Sequence, residues 1–256
     1  MKKLSAALLV LSSLAVAACS GSSSDSSPAT VQAASETTAA PETPDSTEAA
    51  MGSISGTAYT FNTPDPIAGA TVSLVEFPDI SAITAADGSY HLDVPAGAIV
   101  TPVIEADGHH SVHLQTFTLD PDHEGLTIEG ANFQTPSTDI YEALRGLITG
   151  FVGKDPFEGN SCVVVTTVSD KKVVGMTFDD FINFHPHGKP GATVAIEPAV
   201  SQPIYFNADV LPDLAQTEVS NDGGALWTNV PAGSDTLSAQ LVGTGRATAK
   251  VTCEAG

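Results

Sequence analysis

The chain has 256 residues, 42% hydrophobic and 15% charged, with 30 acidic residues against nine basic ones and a formal net charge of −21. Nucleic acids and anionic lipid surfaces are held by lysine and arginine, so this balance argues against them as partners. It favours solubility and is compatible with cation binding.

At the start of the chain Lys2 and Lys3 precede an apolar run from Leu4 to Ala18. A short basic region followed by such a run reads as a secretory signal, too short to span a bilayer as a helix. The run ends Val16-Ala17-Ala18-Cys19, which resembles the lipobox of bacterial lipoproteins, where the cysteine thiol takes a diacylglycerol and the new N-terminus is acylated. An ordinary signal peptide cut after Ala-x-Ala is the plainer alternative. The resemblance implies a signal peptide over 1–18, a membrane partner reached through lipid (palmitate) on Cys19, and a cell-envelope address. Ser20 stands where an aspartate would otherwise follow the lipidated residue, which by the same resemblance implies the outer membrane of a Gram-negative bacterium. Cleavage there leaves seven basic residues (nine less Lys2 and Lys3) against 30 acidic ones, a net charge of −23.

Only Cys19, Cys162 and Cys253 are present, and an odd thiol in an exported protein needs a reason. With lipid on Cys19 the other two are free to pair in an oxidising compartment. A Cys162–Cys253 bridge would staple the first and last strands of one domain, contributing on the order of 4–5 kcal/mol in the chain-entropy view. Two buried thiols are the alternative.

Residues 19–51 are rich in Ser, Thr, Ala, Pro and Glu, with one valine and one methionine as the sizeable apolar side chains. Such a segment cannot bury enough apolar surface to offset its ordering entropy. It reads as a disordered tether with a mean reach of roughly 30 Å.

From Gly52 short alternating runs appear, SISGTAYTF, ATVSLVEF, SYHLDV, AIVTPVIEA and VHLQTFTL, punctuated by Gly, Pro and Asp. Period-two alternation with frequent turn signals predicts an antiparallel sandwich. Pro66-Ile67-Ala68-Gly69-Ala70-Thr71-Val72-Ser73-Leu74, then Asp87-Gly88-Ser89-Tyr90, Val94-Pro95-Ala96-Gly97 and Ala106-Asp107-Gly108 together resemble the carboxypeptidase regulatory-like family of transthyretin-like domains. The resemblance covers about residues 52–120 and implies a seven-stranded Greek-key sandwich, placed here at 52–134. That family is named for a non-catalytic domain behind a zinc peptidase, so it implies no peptidase activity.

Residues 137–149 carry the clearest helical signal. Thr138 can cap it, and Ile140, Leu144, Leu147 and Ile148 share one face. The segment 135–160 is therefore read as a helical connector. Beyond it, Gly191-Ala192-Thr193-Val194-Ala195-Ile196 echoes Gly69 to Leu74, and Asp222-Gly223 to Val230-Pro231-Ala232-Gly233 echoes Asp87 to Gly97. Residues 161–256 are thus a second, divergent sandwich, and the fold class is all-β: two tandem transthyretin-like Greek-key sandwiches joined by a short helix. The second echo carries one extra residue before its proline. Either Trp227 faces solvent, free to stack on a sugar, or a bulge near Asn229 turns it into the core.

Candidate chemistry is sparse. No His-x-x-Glu pair, HEXXH, Gly-x-Ser-x-Gly elbow, phosphate loop or dinucleotide fingerprint occurs, so no catalytic residue is assigned and the chain is read as not an enzyme. His109, His110 and His113 would lie too far apart on a strand, roughly 13 Å from first to last, to chelate one ion. In the HPH turn, His185 and His187 would share a face about 7 Å apart, from which two imidazoles can converge on one metal, with Asp179, Asp180 or Tyr205 as a third ligand. Asp120, Asp122 and Glu124 put three carboxylates in one loop, hard ligands for a divalent cation, without the EF-hand spacing. Neither site calls for a resident cofactor. Phe178, Phe181, Phe184, Tyr205 and Phe206 read as core, with a carbohydrate platform as the alternative.

The expected role is a non-enzymatic binding or scaffold module for a protein or glycan partner at the envelope. Metal handling through the HPH turn is the alternative, and a divergent enzyme on the same scaffold the next.

Overall fold

The structure is a computed structural model describing residues 50–122, 125–174 and 176–254. In the first half the strands are β1 (Met51–Thr60), β2 (Thr71–Leu74), β3 (Ser81–Ile83), β4 (Ser89–Pro95), β5 (Ile99–Val100), β6 (Pro102–Glu105), β7 (Val112–His113), β8 (Phe117–Thr118), β9 (Thr127–Ile128) and β10 (Phe133–Thr135). β4 runs antiparallel to β1, and β9 and β10 run parallel to it. The facing sheet has the order β3-β2-β6-β7, and β5 pairs with β8.

Alternation explains the packing. In β4 every second side chain is buried, so Tyr90, Leu92 and Val94 enter the core while His91 and Asp93 face water. They meet Ile54, Val72, Leu74, Ile104 and Phe133 from the other strands. Each such side chain contributes roughly 1.5–3 kcal/mol by leaving water. The Tyr90 hydroxyl donates to the Ala131 carbonyl, so its polar end is satisfied in the interior.

The second half contains β11 (Ser161–Thr167), β12 (Thr193–Glu197), β13 (Ile204–Phe206), β14 (Pro212–Asp213), β15 (Gly224–Pro231), β16 (Gly233–Gln240) and β17 (Arg246–Cys253). They form the sheets β11-β15-β13-β14 and β12-β16-β17. Val194, Ile196, Trp227, Val230 and Leu237 fill the space between. Across β11 and β15, Val164 opposes Trp227 and Cys162 opposes Val230, so one residue faces two and the strand bulges. Asn229 takes up the bulge with φ 55°. Of the two alternatives for Trp227 the core one holds, at 1% exposure, and the sugar-stacking one is overturned. Cys162 and Cys253 are disulfide-bonded with their Cα atoms 5.8 Å apart across 91 residues of chain, tying one sheet to the other.

The repeated segments occupy equivalent places. β1 pairs with β4, β2 with β6 and β6 with β7; β11 pairs with β15, β12 with β16 and β16 with β17, all antiparallel. The two sandwiches differ in what flanks this common frame. The first adds β3, the β5-β8 pair and the parallel β9 and β10; the second adds β13, β14 and a helical layer.

That layer is built from α1 (Thr138–Val152), a 3-10 turn at Lys171–Val173 and α2 (Phe178–Asn183). Ser137 caps α1, accepting from the Ile140 N–H, and Gly153 closes it in the left-handed conformation. Thr138, expected as the cap, is the first helical residue. Of the expected apolar face, Ile148 is buried but Ile140 is 43% exposed; the packed stripe is Leu144, Ile148 and Val152. These meet Phe181, Phe206 and Leu226 of the second sandwich and Phe61, which follows β1 in the first. The connector therefore packs on one sandwich and receives a side chain from the other. A second joint lies at Thr116, whose N–H donates to the Lys250 carbonyl at 2.8 Å.

Candidate functional site

The residues singled out above fall in separate places. Cys19 lies outside the described residues, and so does Glu124 of the acidic loop. Asp120 and Asp122 form a local turn in which the Asp122 N–H donates to the Asp120 carboxylate at 2.8 Å. His109 bonds the Thr60 hydroxyl at 3.3 Å, His110 stacks on Tyr141 with centroids 3.4 Å apart, and His113 lies 3.9 Å from Glu254. The three histidines serve the joint between the first sandwich, α1 and the chain end.

In the HPH turn the rings of His185 and His187 stack with centroids 4.6 Å apart, and His187 stacks in turn on Phe181 at 4.5 Å. Tyr205 is in the sandwich core, its hydroxyl accepting from the Val194 N–H. Asp180 is held by its cap partner Thr177. Among the described residues no group of three or more His, Cys, Asp or Glu gathers around a common point, and no helix is long and apolar enough to cross a membrane.

The aromatic group divides between two cores. Tyr205 lies between the sheets, while Phe181, Phe184 and Phe206 lie under the helices; the Phe178 side chain is outside the described part. None of the described ones forms an exposed platform with Trp227.

The HPH turn packs directly on the second Asp-Gly turn. The Gly188 N–H donates to the Asn221 carbonyl at 2.8 Å. A Cβ on Gly188 would sit 2.2 Å from the Gly223 nitrogen, so only glycine fits. Asp222, next to this contact in sequence and buried, accepts one side-chain hydrogen bond, from the Gly224 N–H. Burial pushes its carboxyl up to about 6.

A different surface carries shallow, open depressions. In β17 the side chains of Ala247, Val251 and Cys253 turn inward, so Arg246, Thr248, Lys250 and Thr252 face outward. β16 places Gln240, Ser238, Thr236 and Ser234 beside them in register. Two grooves lie along this face. One of about 290 Å³ is lined by Thr193, Ser238, Gln240 and Arg246. The other, about 220 Å³, is lined by Ser234, Asp235, Thr236, Lys250 and Thr252 together with Glu76, Ile99 and Thr116 of the first sandwich.

Hydrogen bonds fix the wall between the sandwiches. Glu76 accepts from the Thr101 N–H at 2.6 Å and from its hydroxyl at 2.8 Å. The Thr101 hydroxyl lies 2.8 Å from that of Thr116, which lies 3.3 Å from that of Thr252. Asp235, which also lines the second groove, is 7% exposed, with one carboxylate oxygen lacking a partner among the described residues. Burial pushes its carboxyl up.

Sequence reasoning missed this face, although the alternation of polar and small residues in RATAKVTC carries it.

Among solved structures, the Bacillus anthracis TIE protein aligns over 80% of this chain and 32% of its own, at 11% identity and a TM-score of 0.28. The chain thus spans about a third of that protein's length. No family model matches the chain, and no curated protein matches it.

Proposed function

We propose that the protein is an envelope lipoprotein acting as a non-enzymatic binding module, anchored through Cys19 and presenting its two sandwiches at the end of the tether over 20–51. The observation that carries the reading is the hydroxyl-lined face to which both sandwiches contribute, Thr116 and Glu76 from one and Thr236, Lys250 and Thr252 from the other. A face shared across a joint positions its groups more rigidly than a loop does, which suits binding. The repeated strand pairings support placing both halves in the carboxypeptidase regulatory-like, transthyretin-like family. The apolar run ending at Cys19 supports lipid attachment and an outer-membrane address.

Two experiments test it. Cells expressing the full chain should incorporate labelled palmitate, and the Cys19→Ala variant should not; equal labelling of both would overturn the anchor. The soluble chain from Ser20 onward should co-sediment with isolated cell envelopes. Thr236→Leu with Thr248→Leu should abolish that by filling the face and removing its hydroxyls. Absence of co-sedimentation, or its survival in the variant, would overturn the binding reading.

A further inference from the structure

We propose that the Cys162–Cys253 bridge clamps the joint between the two sandwiches, so that its reduction opens the joint while each sandwich stays folded. Opening separates the walls of the groove that both sandwiches line, which makes the shared face sensitive to redox conditions. That last consequence rests on the binding-module reading above; the clamp itself does not.

On this side the joint is made by one strand end. The Lys250 carbonyl accepts from the Thr116 N–H at 2.8 Å. The Thr252 hydroxyl lies 3.3 Å from that of Thr116 and 3.4 Å from that of Thr101. Just past β17, Glu254 lies 3.9 Å from His113. Alternation turns Thr252 toward the first sandwich and Cys253 into its own, where Cys253 is 4% exposed and bonded to Cys162 of β11. The bridge therefore sits between the two side chains that reach across the joint. β17 is the edge strand of its sheet, and its register with β16 ends where Cys253 faces Gly233. Gly233 and Ser234, the partners of Cys253 and Thr252, are both exposed.

The contacts across this side are individually small, neutral hydrogen bonds and one partly exposed ion pair. The cores of the two sandwiches remain separate clusters. Such contacts hold only when the strand end is already ordered, because ordering a few residues costs as much as the contacts return. The bridge supplies that order by tying the strand end to β11. On the connector side Phe61 packs with Ile148 and Phe206 in a cluster that contains neither cysteine, so that side remains as the hinge. The opening reaction needs a dithiol. Its thiolate attacks Sγ of Cys162, the half-buried partner; the S–S bond breaks, and Cys253 leaves as a thiolate and takes up a proton. The second thiol then attacks the mixed disulfide and releases Cys162 as a thiol. Two electrons pass to the bridge, and the dithiol leaves as a disulfide.

The test compares the oxidised chain from Ser20 onward with the same chain in dithiothreitol and with the Cys162→Ser, Cys253→Ser variant. Hydrogen exchange of the Thr116 amide reports the joint, and residual dipolar couplings report whether the two sandwiches share one alignment frame. We expect reduction to speed that exchange about tenfold or more and to split one frame into two. The serine variant should behave as the reduced protein with or without dithiothreitol. Thr252→Val with His113→Ala, bridge intact, should speed the same exchange to a smaller extent. Far-ultraviolet circular dichroism and the emission of Trp227 should stay unchanged throughout. An unmoved Thr116 rate in the reduced protein or in the bridged variant overturns the inference, and so does a single frame after reduction. Loss of the buried Trp227 emission on reduction also overturns it, because the bridge is then a staple of the second sandwich's fold. Envelope co-sedimentation separates the two readings. If the joint opens but the oxidised protein never sediments, the module reading falls and the clamp stands. If oxidised and reduced protein sediment equally, the clamp stands and the redox sensitivity of the face falls.

Discussion

The two copies of the Asp-Gly to Pro-Ala-Gly segment share a turn but not an environment. In both, the aspartate accepts from the backbone N–H two residues on, at 3.0 Å for Asp87 to Ser89 and 3.0 Å for Asp222 to Gly224. At Asp87 the Ser89 hydroxyl adds a second bond, the side chain is exposed, and the Ser89 hydrogen bonds hold its carboxyl below the usual value. At Asp222 that hydroxyl is absent, because glycine stands at 224, and the residue is only 7% exposed. Burial then dominates, and the carboxyl moves up instead. Identical turn chemistry sets the local geometry; burial sets the sign of the electrostatics.

The largest way to break the symmetry is the disulfide, which only the second copy has. Replacing Cys162 and Cys253 by serine should cost on the order of 4–5 kcal/mol in the chain-entropy view, read as a lower urea midpoint. An unmoved midpoint would mean the bridge constrains little.

Trp227→Ala should cost about 3–5 kcal/mol, since a side chain at 1% exposure leaves a cavity. In the unmodified protein its emission should be blue-shifted and insensitive to iodide; strong quenching would contradict the bulge at Asn229.

A smaller effect separates the two aspartates. The folded value of Asp222, about 6, lies above its ordinary 3.8. Folding therefore binds a proton in that window, and the contribution of Asp222 to stability is fully present below pH 3.8 and lost as pH rises through 6. Asp222→Asn should flatten this slope and raise stability at pH 7 by on the order of 1 kcal/mol, allowing for solvent screening. Asp87 is shifted the opposite way, so its contribution is present above the ordinary carboxylate value and lost in more acid solution; Asp87→Asn should leave the pH 4–6 slope intact. Urea midpoints across pH decide between them.

The smallest concerns Tyr90, whose place in the repeat Ala225 takes in the second copy. Tyr90→Phe removes the donor to the Ala131 carbonyl and should cost about 1 kcal/mol. A neutral result would show that water replaces the hydroxyl.

Much of the frame was legible. The alternation in SYHLDV, the Asp-Gly turns and the echo of Gly69 to Leu74 at Gly191 to Ile196 depend on residues close in sequence, and they placed β2, β4, β12 and β15 correctly. α2 was missed although its signal is present: the Thr177 hydroxyl accepts from the Asp180 N–H as the cap and donates to the Asp180 carboxylate. At six residues it has too few turns to show periodicity. The candidate face was not legible as a site. Arg246, Lys250 and Thr252 can be read as one side of a strand, but that Glu76 and Thr116 wall the same groove follows from a contact more than a hundred residues away in sequence.

The sequence by itself determined the two-copy plan, the strand faces and the turns, because each follows from side-chain alternation or backbone preference; it offered Cys162 and Cys253 as a pair, and the fold brings them together. Tertiary structure alone decided that Trp227 is core, that Asp222 is buried while Asp87 is open, and that the joint between sandwiches forms a groove. Those outcomes depend on which surfaces meet when the sheets close, and burial is a property of the partner surface as much as of the residue.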